Sequence, residues 1–405
     1  MNQKTITKNV ILFDTIKRFA EIEKTPDNIQ DYFDKIGDII LNKTILKIKT
    51  KWFRIAEIEF YFNDGDRHPD PFTHNDTMQY HPNHWYFHKK GGVYRGGTWK
   101  GMDITLGQSS PIKFSGGILV RSIRELIIAK KGSKEVIKEE GEYIHGPSKV
   151  VDKILEVFKR NSVKELVEEE FHEHMDIIQN SNMTLYPTVT LLEDHKSKYF
   201  SSNHPVDKSK GNNKRKIDGK KSENEKKDEP NTDEDSEEDE DEDKNKNENE
   251  DRNEKEELLF KNKKQKITNT KVKFKTNNTV EGIPSFNFDL KKETVYRVPR
   301  VGLAPHPDNE KADLQKEFYY LIRNYRYLIY PNLIKKGKVQ LVVGLYRNQM
   351  KPDLIQEITK SKSMVIEKYI SDYEKGKKLK LNQLNIKKVE DLCRLFGLIS
   401  NQLKH

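Results

Sequence analysis

The sequence predicts an α+β fold: a single mixed domain of antiparallel strands with peripheral helices, interrupted by an insertion. Two observations support this prediction. A segment with helical spacing of apolar residues is followed by segments in which apolar and polar residues alternate, with short turns between them. This periodicity then disappears between residues 203 and 278, where Lys, Asn, Glu, Asp and Ser dominate, and it returns afterwards.

The elements follow from these patterns. Apolar residues recur at three- and four-residue spacing in residues 29–41, which predicts a helix. Residues 44–50 and 51–61 alternate and predict two strands, of which the second is either the hairpin partner or a neighbour of the first. Apolar runs predict further strands at 102–106, 116–123, 294–303 and 338–345. Runs with a helix cap or with helical spacing predict further helices that begin at 147 and at 353 and others at 363–375 and 386–399.

We therefore divide the chain into four parts. Residues 1–202 and 279–350 form the two parts of the mixed domain, and residues 203–278 form a disordered low-complexity insertion, because such a composition buries too little apolar surface to fold. Residues 351–405 form a helical extension, which either packs on the domain or binds a partner. Cys393 lies on the apolar stripe of its last helix and is interpreted as a core residue.

Charge is distributed unevenly along the chain. Residues 228–257 hold 18 acidic and 4 basic residues, so the remainder holds 70 basic and 47 acidic ones. A basic body of this kind attracts nucleic acid, although a lysine-rich composition alone produces the same balance. Basic clusters at 214–216, 220–221 and 226–227 resemble a bipartite nuclear localisation signal, which predicts a nuclear protein. The acidic block is a candidate surface for a protein partner.

Other classes are disfavoured. No apolar run reaches the 18 or so residues that span a bilayer, and the amino terminus is polar, so we expect a soluble intracellular monomer without a membrane partner. The single cysteine excludes an internal disulfide framework.

Strand 51–61 carries the candidate chemistry. Its alternation places Glu57, Glu59 and Tyr61 on one face. Carboxylates on a strand usually mark the solvated face, and the alternative is that they line a site. Arg121 stands inside an apolar strand, where a guanidinium needs an anionic or carbonyl partner, so it either forms an ion pair or points into a pocket.

The loop at 63–101 holds a cluster of rings. Its histidines and aromatic residues are His68, His74, His81, His84 and His88, together with Trp85, Tyr86, Phe87, Tyr94 and Trp99. The histidines raise the possibility of a metal site, yet their spacing matches no zinc signature, and histidines that stack, cap loops or contact phosphate and base are the alternative. The aromatic residues are of the types that sandwich a flipped base or wedge a duplex, and they are also ordinary core residues.

Six short motifs, taken in order, carry a resemblance. They are Ile40-Leu-Asn-Lys43, Ala56-Glu-Ile-Glu-Phe-Tyr61, Met102-Asp-Ile104, Leu119-Val-Arg-Ser122, Gly146-Pro-Ser-Lys149 and Pro299-Arg-Val-Gly302. This series resembles the alkyladenine (3-methyladenine) DNA glycosylase family, whose members have a mixed fold like that of a formyltransferase C-terminal domain. The resemblance covers residues 29–158 and 294–347, and it does not cover the tail.

The resemblance implies a repair enzyme that flips alkylated purines out of double-stranded DNA and hydrolyses their glycosidic bond to leave an abasic site. It implies that Glu59 is the general base and that Arg121 orients the water, while Glu57 is a supporting acid. No metal and no cofactor are implied. We expect Asp103, Tyr61, His74, Tyr86 and His88 to bind the base, and Tyr94, Trp99, Lys149 and Arg300 to contact the nucleic acid.

The sequence also departs from the family. Asp103 replaces an asparagine at the pocket floor, which would favour cationic bases by charge attraction. The family's Thr-Pro-Arg-Asn segment is not found, so the sequence assigns neither the pocket histidine, His68 or His74, nor the wedge residue. Two other functions therefore stay open: a non-catalytic nucleic-acid or chromatin-binding relative, and a metal-dependent enzyme built on the histidine-rich loop.

Overall fold

The structure is a computed structural model that describes residues 10–131, 134–177, 180, 182–188, 290–305, 311–380 and 389–402. The predicted insertion at 203–278 and its basic clusters lie outside these residues. The described residues form one compact unit.

A mixed antiparallel sheet organises this unit and confirms the predicted α+β class. Its strands are β1 Thr44–Ile48, β2 Lys51–Asn63, β3 Trp85–Phe87, β6 Met102–Thr105, β7 Ser115–Lys131, β8 Lys134–His145, β9 Met183–Pro187, β10 Tyr296–Val298 and β11 Arg326–Leu328. The order across the sheet is β10-β11-β2-β7-β6-β3, with β8 beside β7, β1 beside β2 and β9 beside β1. A separate hairpin pairs β4 Lys89–Lys90 with β5 Val93–Tyr94. The two parts of the chain on either side of the insertion therefore share one sheet.

Helices cover the sheet. They are α1 Val10–Phe19, α2 Pro26–Asn42, α3 Pro147–Phe158, the short α4 Val163–Glu165, α5 Lys311–Leu321, α6 Lys338–Arg347, α7 Pro352–Thr359, α8 Ser363–Gly376 and α9 Val389–Gln402. Helix α2, predicted at 29–41, begins at Pro26 after the cap residue Thr25, whose Oγ1 accepts a hydrogen bond from the Asn28 amide at 3.2 Å. Its apolar face packs on β2, where Phe33 stacks on Phe60 with ring centroids 4.2 Å apart.

Strand β2 is not regular where it passes the candidate carboxylates. Its register with β7 shifts on both sides of Glu57, so that Ile55 pairs with Ile123, Glu57 with Ser122 and Ile58 with Val120. The second shift skips Arg121, so no residue of β2 lies opposite it in the strand pairing. Such bulges turn a side chain away from the regular alternation. This one aims the Arg121 guanidinium at the carboxylates of β2.

One predicted strand is wrong. Residues 338–345 lie in helix α6. A helix that is buried on several sides has a continuous apolar run, and such a run cannot be told from a buried strand by its pattern alone. Its buried apolar residues are Val339, Leu341, Val342, Val343 and Leu345. The predicted strand at 294–303 is shorter than expected: β10 spans only Tyr296–Val298, and the chain turns at Gly302 with a φ of +77°.

The carboxyl-terminal helices pack on the rest of the domain. Tyr373 of α8 and Cys393 of α9 share a buried cluster with Phe318 of α5 and Val343 of α6. Burial raises the pKa of the Cys393 thiol to about 12, in agreement with its predicted core position. The first of these helices was predicted from residue 353, and α7 begins at Pro352 with Asp353 in its first turn. Ile386, predicted on the last helix, lies outside the described residues.

Within the described ranges, no helix combines the length and the apolar composition that crossing a membrane would require.

Candidate functional site

A row of five side chains runs across the sheet from β11 to β3. The register pairs Arg326 with Glu59, Glu59 with Leu119, Leu119 with Asp103, and Asp103 with Tyr86. Residues opposite one another in neighbouring strands have their side chains on the same face. Glu59 and Asp103 therefore share one face, two strands and roughly 10 Å apart.

Glu59 is held by three donors from separate parts of the chain. Its Oε2 accepts hydrogen bonds from the Tyr61 hydroxyl at 2.8 Å and from Arg121 Nη1 at 3.3 Å, and its Oε1 accepts one from the Val301 amide at 2.8 Å. The side chain is fully buried, whereas Tyr61 is half-buried. Glu59 thus lies directly beneath a partly accessible tyrosine.

Glu57 occupies the centre of an ion-pair network. Its Oε1 accepts from Arg121 Nε at 2.9 Å and from Arg326 Nε at 2.7 Å, and its Oε2 accepts from the Ser122 hydroxyl at 2.6 Å. Burial raises its pKa, but the two guanidinium charges outweigh this effect and lower the pKa to about 2. Through these contacts the Glu57 carboxylate fixes both arginines.

Arg300 is not available to a phosphate group, so the predicted nucleic-acid contact is wrong for this residue. It is 1% exposed, and its two Nη atoms lie 2.7 and 3.2 Å from the Asp70 carboxylate. Its guanidinium also stands 4.5 Å from the centre of the Tyr61 ring. Because it is buried and paired, Arg300 supports the ring of Tyr61 from below.

A second cluster surrounds Asp103. Its two oxygens lie 2.8 Å from His88 Nε2 and 2.9 Å from Gln79 Nε2. The ring of His74 meets that of His88 edge-on at 4.4 Å, and Tyr86 lies 5.8 Å from the same ring. Four of the five residues predicted to bind a base, Asp103, His74, Tyr86 and His88, are thus brought together.

A glycine links this cluster to Tyr61. Gly117 pairs with Tyr61 on β2 and with Thr105 on β6. A Cβ atom at Gly117 would stand 2.4 Å from Asp103 Oδ2, so the Asp103 side chain leans over this position. Glycine is required here because any side chain would displace the carboxylate.

Three of the residues predicted to contact nucleic acid lie at the surface. Trp99 ends a 3₁₀ turn at Gly97–Trp99 and is 64% exposed, Tyr94 is half-buried, and Lys149 is exposed in the first turn of α3. Lys100 joins the 3₁₀ turn to α3 through an ion pair with Asp152 at 2.5 Å. Trp99 and Lys149 therefore belong to neighbouring surface segments.

His74 and His88 meet beside Asp103, whereas His68 and His84 are held by other groups. His68 is 1% exposed, with Nδ1 2.9 Å from the Phe62 carbonyl oxygen and Nε2 2.8 Å from the Tyr325 hydroxyl. His84 Nδ1 lies 2.7 Å from the Pro82 carbonyl oxygen. Among the residues that the structure describes, no group of three histidine, cysteine or acidic side chains is arranged to hold a metal ion. The histidine placement thus gives no support to the metal-dependent alternative.

The chain is similar to a viral protein over part of its length. The chain is 34% identical over 169 residues to the protein "Uncharacterized protein L759" of Acanthamoeba polyphaga mimivirus, a match that covers 39% of this chain and 71% of the viral protein. The chain belongs to the same family as this viral protein. No model of a described protein family matches the sequence.

Sequence reasoning missed several partners of the two glutamates. Arg326, Ser122 and the Val301 amide were not predicted as partners of the glutamates, and Gln79 was not predicted as the partner of Asp103. Arg326 carries the same signal as Arg121, a guanidinium inside an apolar strand flanked by Tyr325 and Tyr327. The contact of a backbone amide with Glu59 has no sequence signal.

His145 gives the network a pH dependence. Its Nε2 lies 3.9 Å from Glu57 Oε2 and has no hydrogen-bond partner among the described residues. Burial lowers its pKa from 6.5 to about 4, although the Glu57 charge opposes this shift. Between these two pH values the unfolded chain binds the proton and the folded chain does not, so the free energy of unfolding decreases as the pH falls through this window.

We expect His145→Gln to flatten this pH dependence, because the substituted side chain does not titrate. The measurement is urea denaturation at a series of pH values between 7 and 4, with the exposed His81→Gln as the control that retains the wild-type slope. If the free energy of unfolding of His145→Gln depended on pH as steeply as that of wild type, His145 would not be the source of the pH dependence.

Proposed function

We propose that this protein is a DNA N-glycosylase that excises alkylated purines by hydrolysis. The observation that carries the proposal is the environment of Glu59. The three segments that donate hydrogen bonds to it, around Tyr61, Arg121 and Val301, are distant in the sequence, and each is one of the motifs that resemble the alkyladenine glycosylase family.

The contacts suit a water-activating carboxylate. A carboxylate oxygen has two lone pairs, so Glu59 Oε1, which accepts from the Val301 amide, retains one to accept a proton from water. Glu57 holds Arg121 through Nε, which leaves its Nη1 directed at Glu59. In the proposed reaction Tyr61 moves off Glu59 Oε2 to admit the sugar, and the ionised Glu59 stabilises the positive charge at C1′ while the C1′–N bond breaks and a cationic base leaves as the neutral purine. Glu59 then takes the proton of the water whose oxygen bonds to C1′.

The cluster around Asp103 is suited to bind the base. Gln79 holds Asp103, which in turn fixes His88, and the rings of His88, Tyr86 and His74 offer stacking and hydrogen-bonding surfaces. The buried negative charge of Asp103 favours a cationic alkylated base over a neutral one. This cluster stands on the same face of the sheet as Glu59, as a base and its sugar require.

The exposed residues are suited to bind the duplex. Trp99 is the best candidate for the wedge, since Tyr86 and Phe87 are buried and Tyr94 is half-buried. Lys149, in the first turn of α3, is placed to contact a phosphate. Nuclear localisation remains part of the proposal, based on the basic clusters of the insertion.

The test is incubation of the full chain with duplexes that contain 3-methyladenine, hypoxanthine or ethenoadenine, followed by detection of abasic sites by alkaline strand cleavage. We expect abasic product from at least one of these duplexes, most of all from the cationic 3-methyladenine, and none from an undamaged duplex. The reaction should proceed in the presence of a metal chelator. Absence of abasic product from all three lesions would contradict the proposal.

A second function is favoured by the complete burial of Glu59, which suits a structural carboxylate. In this alternative the protein is a non-catalytic relative that binds nucleic acid through its exposed basic and aromatic residues. It would bind damaged and undamaged duplexes equally and release no base, so the same duplexes in a binding assay separate the two functions.

A further inference from the structure

A cleft lies on the side of the domain formed by the carboxyl-terminal helices. Its volume is roughly 680 Å³, within the range of small-molecule sites. The side chains that characterise it are Tyr319, Arg323, Tyr346, Arg347, Tyr373 and Lys377. They come from α5, the segment after it, α6 and the end of α8, and none of these six side chains belongs to the site around Glu59.

The cleft has an excess of positive charge. Arg347 Nη1 donates to the Ile322 carbonyl oxygen at 2.8 Å, and Arg323 Nη2 donates to the Tyr319 hydroxyl at 2.5 Å. Within the described ranges, neither guanidinium has a carboxylate at ion-pair distance. Lys377 is paired with Glu374 at 2.6 Å, so three cations face one carboxylate.

Two polar atoms of the cleft are enclosed without a partner. Arg323 Nε and the Ser400 hydroxyl are buried, and neither makes a hydrogen bond to any described residue. Buried donors without a partner are rare because each costs free energy. Burial and the neighbouring Arg323 both lower the pKa of Arg347, although Tyr373 opposes this effect. An anion between the two guanidinium groups would give the buried Arg323 donor a partner and would offset the repulsion between Arg323 and Arg347.

The remaining walls of the cleft are aromatic. Tyr346 and Tyr373 meet edge-on with ring centroids 5.8 Å apart, and the Arg323 guanidinium lies 4.5 Å from the centre of the Tyr319 ring. Tyrosine rings beside arginines are suited to stack on a planar heterocycle while the cations bind its charged substituent. The cleft thus offers both cations for a charged group and aromatic rings for a planar group, and a simple inorganic anion would use only the cations.

We propose that this cleft binds a phosphate-bearing ligand with a planar ring, of the nucleotide class. The guanidinium groups of Arg323 and Arg347 and the ammonium group of Lys377 bind the phosphate, and the tyrosines contact the ring. The proposal is independent of the glycosylase function, because it uses no residue of the Glu59 and Asp103 clusters.

The test is isothermal titration of the full chain with AMP, adenosine and inorganic phosphate at fixed ionic strength. We expect AMP to bind more tightly than either adenosine or phosphate, and its affinity to fall as salt is raised. Arg323→Gln should weaken AMP binding by about tenfold or more, since it removes a charged hydrogen-bond donor.

Lys377→Gln provides a second variant with a matched control. Lys375 lies in the last turn of α8, and Lys377 directly follows that helix. Lys375 pairs with Asp372 at 3.3 Å as Lys377 pairs with Glu374, but Lys375 does not line the cleft. Lys377→Gln should weaken AMP binding several-fold, and Lys375→Gln should leave it unchanged. Thermal unfolding of each variant without ligand identifies any loss of folding.

Three results would overturn the proposal. The first is the absence of saturable AMP binding at millimolar concentrations, and the second is equal weakening by Lys375→Gln and Lys377→Gln. The third is AMP affinity equal to that of adenosine, which would exclude phosphate recognition, or equal to that of inorganic phosphate, which would exclude ring recognition.

Discussion

Replacement of Glu57 by glutamine is expected to lower the free energy of unfolding by about 3–5 kcal/mol, the usual cost of removing one partner from a buried ion pair. The carboxylate is fully buried and accepts hydrogen bonds from Arg121, Arg326 and Ser122. Glutamine keeps the size of the side chain but leaves the Arg326 guanidinium without a counter-charge. Urea denaturation at pH 7 measures the difference.

Glu125→Gln is the matched control. Glu125 lies on β7, the strand beside Glu57, and pairs with the exposed Lys51 at 2.5 Å. Exposed pairs contribute at most about 1 kcal/mol, so this variant should remain close to wild type. Equal losses of stability in the two variants would show that Glu57 is not the centre of the network.

The Glu57 effect should also depend on pH. Because the folded-state pKa is lowered from 4.5 to about 2, the stabilisation is complete above pH 4.5 and is lost as the pH falls towards 2. The difference between wild type and Glu57→Gln should therefore narrow over this range.

Replacement of Glu59 by glutamine is expected to reduce the rate of abasic-site formation by about 10²–10⁴-fold, the usual contribution of a general base. The amide cannot accept a proton from water, yet its oxygen can still accept hydrogen bonds from the Val301 amide or the Tyr61 hydroxyl. Arg121 keeps Glu57 as its counter-charge. The variant should therefore fold, and single-turnover cleavage of the best lesion duplex measures the loss.

Asp34→Asn serves as the control for neutralising a buried carboxylate elsewhere. Asp34 of α2 pairs at 2.7 Å with Arg297 of β10, the strand at one end of the sheet order. This variant should retain the wild-type rate per folded molecule. Lesion cleavage that survives Glu59→Gln, or that falls equally in Asp34→Asn, would remove the role assigned to Glu59.

The parts of the fold that sequence predicts well are those with one buried face. Helix α2 and strand β2 each have a regular apolar pattern, and their positions were predicted to within a few residues. Helix α6 was not, because its buried run hides the helical period. The bulge at Glu57 was not predicted either, since it depends on the register between two strands rather than on the composition of one.

In the candidate site, too, local patterns were predicted and long-range contacts were not. The shared face of Glu57 and Glu59 follows from alternation alone, and the need of Arg121 for an anion follows from its apolar neighbours. The burial of Arg300 could not be inferred, because its partner Asp70 lies 230 residues away in an aperiodic loop. Long-range ion pairs of this kind leave no local pattern in a single sequence.

The position of β2 between β7 and β11 has a consequence for synthesis on the ribosome. Strand β7 can pair with one edge of β2 early and β1 can pair with the start of the other edge, but the part of that edge at residues 57–59 waits until residues 326–328 have been made. Until then Glu57 lacks Arg326, and an open strand edge is a template for association with other chains. The nascent chain therefore passes through a long interval in which its central strand is half-paired, and chaperone dependence would be concentrated there.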